Sequence, residues 1–248
     1  MDDATALAPA SAPPADFPAF RARTPWWGPD LQTVRNLIRP LALARPACES
    51  QRLVLPVADG SGDRLLGLLD VPARRDPGAP LVVLIHGLSG SEDSSYLVNS
   101  SAHLLALGVP VLRLNLRGAG PSRESCRWQY HAGRSEDLRD ALAALPAAWA
   151  GRDLVLVGYS LGGNMLLKFL AEHGTAFPIR RAVSVSAPID LGAASERFLD
   201  ARNLVYHKRL LFSMKKESLG EGANLTEAER QAIGQVRTIL EFDERFVA

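Results

Sequence analysis

Cysteine is nearly absent from this sequence, with Cys48 and Cys126 the only two in 248 residues. Their spacing fits neither a metal-ligand pair nor a disulfide framework, so the expectation is two reduced thiols in a cytoplasmic protein that holds no metal. An excess of one charge is absent too: 28 Lys and Arg face 27 Asp and Glu. That balance argues against general electrostatic binding of nucleic acid or of acidic membranes. No run reaches the ~18 apolar residues that a bilayer-spanning helix needs, so stable membrane insertion is not expected. The N-terminal stretch MDDATALAPASAPPAD starts acidic and is rich in Ala and Pro. It has no continuous apolar region of a secretory signal and reads as part of a disordered or extended tail over residues 1–23.

What is present is ordinary for a soluble globular chain, with 47% hydrophobic and 22% charged residues. The length suits one large α/β domain around one core. RLVLPV (52–57) and RLLGLLDV (64–71) read as early strands split by the turn Asp59-Gly60-Ser61-Gly62. LVVLIH (81–86), VPVLRLN (109–115) and DLVLVGY (153–159) are continuous apolar runs of the kind buried on both faces of a sheet. RRAVSVSAP (180–188) is a weaker sixth. Helical patterns separate them, over Leu97 to Leu107, over Leu138, Leu142 and Leu145, and from Ser160 onward. Strand, helix and strand in succession predict a mostly parallel sheet with helices on both faces. After residue 190 the pattern is helical alone, and Thr226 with Glu229 forms a possible capping box.

Chemistry concentrates in Gly158-Tyr159-Ser160-Leu161-Gly162, a G-x-S-x-G sequence between an apolar strand and an apolar helix. That context is the one expected of a nucleophile elbow, in which serine occupies a sharp, strained strand-to-helix turn. Glycines are needed there because the backbones crowd, and the helix start aims free N–H groups at the serine. A Gly/Ser loop in a plain dinucleotide-type sheet is the bland alternative. His86-Gly87-Leu88-Ser89-Gly90 ends the third strand. In an elbow-bearing fold the loop there supplies one oxyanion donor and the residue after the nucleophile the other, which designates the backbone N–H groups of Leu88 and Leu161. His86 is expected to shape the loop rather than act as a base.

Motifs along most of the chain extend this reading: TPWWGPDLQT (24–33), HGLSGSEDSSY (86–96), NLRGAGPS (115–122), YHAG (130–133), GYSLGGNMLLKFL (158–170), VSAPIDL (185–191) and EFDE (241–244). With them the sequence resembles the YheT-like branch of the α/β-hydrolases, related to the abhydrolase-domain esterases and lipases. The resemblance implies an α/β-hydrolase core over 24–190 and a helical cap over 191–248. It implies a small-molecule acyl ester as substrate, a Ser-Asp-His triad and no cofactor. Ser160 would be the nucleophile, and Gly87, Gly158, Tyr159, Gly162, His86 and His131 would shape the site.

Two departures from the family pattern stand out. Asp30 occupies a place where the family usually has histidine, so no role is carried over to it. The family order of serine, then acid, then histidine puts both partners of Ser160 beyond the residues present, along with the last two strands. The expectation is therefore a serine esterase by descent whose activity is weakened or lost. An inactive fragment or an acyl-binding protein on the same fold is the competing reading, and acyltransfer or haloperoxidase chemistry a weaker third. His103 and His173 fall on helices as surface or satisfied residues, and His207 reads as an interfacial or surface residue. Asp190 follows the sixth strand but has no histidine to orient. An uncovered sixth strand would invite self-association through the sheet edge.

Overall fold

The computed structural model describes residues 19–246 except Pro40, so most of the expected N-terminal tail lies outside the described residues. The chain divides into two units, residues 1–41 and 42–248. The first holds helix α1 (Gly28–Ile38), which starts with proline in its first turn, where a missing N–H costs nothing. Trp27, just before the helix, is 58% exposed.

The second unit is built on a sheet of six strands, β1 (Cys48–Pro56), β2 (Arg64–Pro72), β3 (Leu81–Ile85), β4 (Val111–Leu114), β5 (Leu154–Tyr159) and β6 (Ile179–Val185). Their order is β1-β2-β4-β3-β5-β6. The pairs β4–β3, β3–β5 and β5–β6 are parallel, whereas β2 runs antiparallel to β1 and β4. β1 begins at Cys48, four residues before the apolar run that signals it, because its first half is exposed and polar.

Every residue of β3 is buried, and its alternation sorts them between two helical layers. Leu81, Val83 and Ile85 share a core with Leu138 and Leu142 of α3 (Ser135–Ala143) and Met165, Leu166 and Phe169 of α4 (Leu161–His173). Val82 and Leu84 instead meet Leu97 and Leu105 of α2 (Ser95–Ala106). Each such fully buried aliphatic contributes ~1.5–3 kcal/mol, so the central strand is held from both faces.

After β6 come α5 (Leu191–Phe198), α6 (Leu204–Ser218), α7 (Glu227–Gln235) and α8 (Ile239–Phe246). Their apolar faces form a separate cluster of Leu211, Met214, Ile233, Val236, Ile239 and Phe242. The capping box of α7 is complete, with Thr226 and Glu229 each bonding the other's backbone N–H. Of the two expectations for His207, the interfacial one holds: it is 4% exposed, and its Nε2 accepts the Ile239 N–H at 3.2 Å, satisfying a donor at the start of α8. Among the described residues no helix is long and apolar enough to cross a membrane.

Candidate active site

The strand order fixes where a site belongs. The connection from β3 runs through α2 to β4 on one side, and the connection from β4 runs through α3 back past β3 to β5 on the other, so a crevice opens at the carboxyl ends of β3 and β5. The parallel register ends with Ile85 opposite Gly158, which sets the His86-Gly87 turn beside Tyr159-Ser160.

Ser160 is the hinge between β5 and α4, with φ 51 and ψ −121. Its N–H donates to the Val185 carbonyl at 2.8 Å, and its own carbonyl accepts the N–H groups of Gly163 and Asn164 at 2.9 and 3.1 Å. Those three bonds hold a backbone that serine would otherwise leave. A Cβ on Gly162 would lie 2.9 Å from the Ile85 carbonyl oxygen and nearer still to that of His86, so only glycine lets α4 start here. A Cβ on Gly87 would stand 2.9 Å from the Ser160 Cβ, which leaves the nucleophile turn and the loop in direct backbone contact.

The loop after β3 is pinned amide by amide. Gly87 N–H donates to the Tyr96 hydroxyl at 3.0 Å, Ser89 N–H to the Tyr130 hydroxyl at 2.6 Å, and Gly90 N–H to the Gly87 carbonyl at 3.1 Å. Among the described residues the Leu88 N–H has no such partner, and the Leu161 N–H, first in its helix, has none within the helix. His86 is fully buried with both ring nitrogens engaged. Nδ1–H donates to the Gly87 carbonyl at 2.7 Å, and Nε2 accepts the Leu116 N–H at 3.1 Å. Burial pushes its pKa down to about 4, so it stays a neutral strut. Tyr159 is anchored from behind by a 2.7 Å bond between its hydroxyl and Ser100 Oγ.

Gly87, Leu88, Tyr159, Ser160, Leu161 and His131 line one cavity of about 1070 Å³, while His86, Gly158 and Gly162 lie outside its lining. The opposite wall comes from the C-terminal helices, with Phe198, Leu210, Met214 and Phe242. His131 contributes the cavity's imidazole; its Nδ1 accepts the Gly133 N–H at 3.2 Å, and burial lowers its pKa. No described residue hydrogen-bonds the Ser160 hydroxyl. Asp190 is committed elsewhere, capping α5 by accepting the Ala193 N–H at 2.8 Å.

Several cavity residues are given no task by the motifs alone. Tyr96 and Tyr130 belong to quoted motifs, but their tasks depend on contacts 9 and 41 residues away in the chain. Glu217 and Asp243 line the cavity from α6 and α8, and burial lifts their pKa values to about 7 and about 6. For Glu217 a signal exists: it falls on the helical stripe of Leu210 and Met214, where an acid is out of place. Positive φ at non-glycine positions occurs, among the described residues, at Ser89, Ser160 and Ser186, all just past the ends of parallel strands.

Residues 80–211 match the family described as alpha/beta hydrolase fold. YheT of Escherichia coli (strain K12), an esterase by name, is 32% identical over 208 residues, covering 80% of this chain and 58% of that protein. Human phospholipase ABHD3 is 22% identical over 224 residues, covering 86% of this chain and 54% of its own. The chain thus spans little more than half the length of these relatives. Among solved structures, an esterase of Pyrococcus furiosus shares the fold with a TM-score of 0.52 at 20% identity, covering 80% of this chain and 62% of that one.

Proposed function

The chain belongs to the α/β-hydrolase family, and from that premise we propose that it is built as a serine esterase acting on small acyl esters, with Ser160 as nucleophile. The observation that carries this reading is the strained Ser160 turn at the sheet's switch point, flanked by the unengaged N–H groups of Leu88 and Leu161. Ser160 Oγ bonds to the acyl carbon while its proton passes to a base. The carbonyl oxygen takes the negative charge and is met by the two N–H donors. Collapse breaks the ester C–O bond, the alcohol leaves with the proton, and water then releases the acid from the acyl-serine. No cofactor enters this chemistry. Helices α5–α8 act as the cap, and their apolar wall of Phe198, Leu210, Met214 and Phe242 suits the acyl chain.

A second reading rests on the hydroxyl of Ser160, which has no hydrogen-bond partner among the described residues. Serine without a base is a weak nucleophile, and an oxyanion hole with binding alone leaves ~10³–10⁴-fold catalysis over water. On that reading the 248-residue chain binds acyl ligands and turns them over slowly. The free thiols of Cys48 and Cys126 support a reducing, cytoplasmic setting. The exposed edge strand β6 supports self-association.

Treating the chain with a fluorophosphonate probe and a short p-nitrophenyl ester, beside Ser160→Ala, separates the readings. Labelling and turnover that vanish in Ser160→Ala establish the esterase. A folded chain that does not label, and turns the ester over no faster than Ser160→Ala, favours the binding reading.

A further inference from the structure

Glu217 of α6 is a carboxyl on the apolar face of a helix, and its position has consequences for the loop across the cavity. Its Oε2 accepts the hydroxyl proton of Tyr130 at 3.1 Å. The same Tyr130 oxygen accepts the N–H of Ser89 at 2.6 Å. Tyr130 is only 6% exposed, and its ring meets the His86 ring edge-on at 5.4 Å, so the phenol cannot swing away without disturbing the core. One residue before Ser89 stands Leu88, whose side chain packs against both the sheet core and the C-terminal helical cluster. A chain of contacts therefore runs from the cap, through one phenol, to the peptide that follows Leu88.

We propose that Glu217 is a positioning residue that sets the oxyanion loop through Tyr130, coupling the seating of α6 to the aim of the Leu88 N–H. The proposal rests on the reading of Leu88 as an oxyanion donor. A phenol that donates to a carboxylate becomes a better acceptor at its own oxygen, so the Ser89 bond tightens when the Glu217 bond forms. With Gly87 N–H held by Tyr96 and Ser89 N–H held by Tyr130, the Leu88 peptide has little freedom left. Loss of the carboxylate charge loosens one of its two anchors.

The charge state of Glu217 changes in an accessible range. Burial raises its pKa from the ordinary carboxyl value to about 7, against the lowering effects of the Tyr130 hydroxyl, the Arg123 guanidinium and the Ser89 hydroxyl. Those groups, all from the core side, are the ones that act on it among the described residues. Burial likewise raises the Tyr130 pKa well above its ordinary value, so the phenol keeps the proton it donates. Above neutral pH the carboxylate forms and the loop is drawn to its set position. Below it, the neutral acid is a weaker acceptor and the loop relaxes.

The test follows the Ser89 amide by NMR in the ¹⁵N-labelled 248-residue chain across about pH 5.5 to 8.5. The expected result is a shift with midpoint near 7 in the wild type that disappears in Glu217→Gln and in Tyr130→Phe. A wild-type Ser89 amide that does not titrate overturns the proposal even if neither variant folds. An unchanged titration in Glu217→Gln overturns it as well. A parallel measurement of Ser160 labelling by a fluorophosphonate is expected to slow about 10-fold in Glu217→Gln, and to lose its step near pH 7, because an oxyanion donor is misaimed rather than deleted. Ser89 titrating while Ser160 never labels upholds the coupling and sinks the esterase reading instead.

Discussion

Ser160 occupies φ 51 and ψ −121, a region that glycine enters freely and other residues enter at a cost of about 1–3 kcal/mol. Its backbone bonds hold that conformation for any residue at the position, and its hydroxyl bonds no described residue, so the serine side chain itself offsets none of the strain. Ser160→Gly is therefore expected to raise the melting temperature by roughly 2–4 °C, a gain of about 1 kcal/mol after glycine's extra unfolded-state entropy. The same change removes all fluorophosphonate labelling. Thermal melts and labelling on one preparation check both halves, and a melting temperature that falls would refute the strain account. Gly162→Ala has the opposite character. Its Cβ would press on the Ile85 and His86 carbonyl oxygens, which are backbone and cannot swing aside. A loss of roughly 3 kcal/mol or more is expected, read from the urea midpoint. At this scale the elbow glycines are legible from sequence because they fall in one short G-x-S-x-G motif, although the carbonyls that Gly162 clears belong to Ile85 and His86. Tyr130 and Glu217 are not, since their partnership spans 87 residues and exists only once α6 folds over the sheet.

Helix α6 carries an electrostatic cost in its buried stripe. The folded state raises the Glu217 pKa to about 7, so between the ordinary carboxyl value and that point it binds more protons than the unfolded chain. Stability contributed at this site is accordingly greatest at acid pH and falls as pH rises through that window. Glu217→Gln removes the titration. It is expected to match the wild type near pH 4.5 and to exceed it by about 3 kcal/mol at pH 8, measured by urea unfolding at both values. Equal offsets at both pH values would count against it. Other features of these helices divide by range in the same way. The capping box of α7 is a four-residue signal and is readable in the sequence, whereas His207 next to Tyr206 and Lys208 reads equally as an interfacial or a surface residue. Its burial depends on α8, 32 residues downstream, whose Ile239 N–H it satisfies.

For the whole molecule, apolar runs identify the strands but not their order or direction. β3 and β5 are recognisable as central because burial on both faces demands continuous Leu and Val. The antiparallel turn of β2 against β4 follows from long-range pairing that no periodicity encodes. β6 shows what lies between these cases. Its sequence is weaker because Arg180 and Arg181 interrupt it, and in the fold five of its seven residues are exposed. It pairs with β5 on one side, and no described strand pairs with the other. Val183 is 47% exposed on it and Ile189 just beyond is 75% exposed, so an unpaired backbone edge adjoins apolar side chains. The two arginines oppose edge-to-edge pairing by like charge, Arg180 less than Arg181 because it pairs with Asp153 at 3.0 Å, and salt screens that opposition. Self-association is therefore expected to grow with both protein concentration and ionic strength. Val183→Lys adds a third positive charge in the middle of the edge and is expected to hold the chain monomeric under the same conditions. Sedimentation velocity on both proteins at low and high salt decides the matter. A wild type that stays monomeric throughout, or associates no more than Val183→Lys, means that β6 needs no partner.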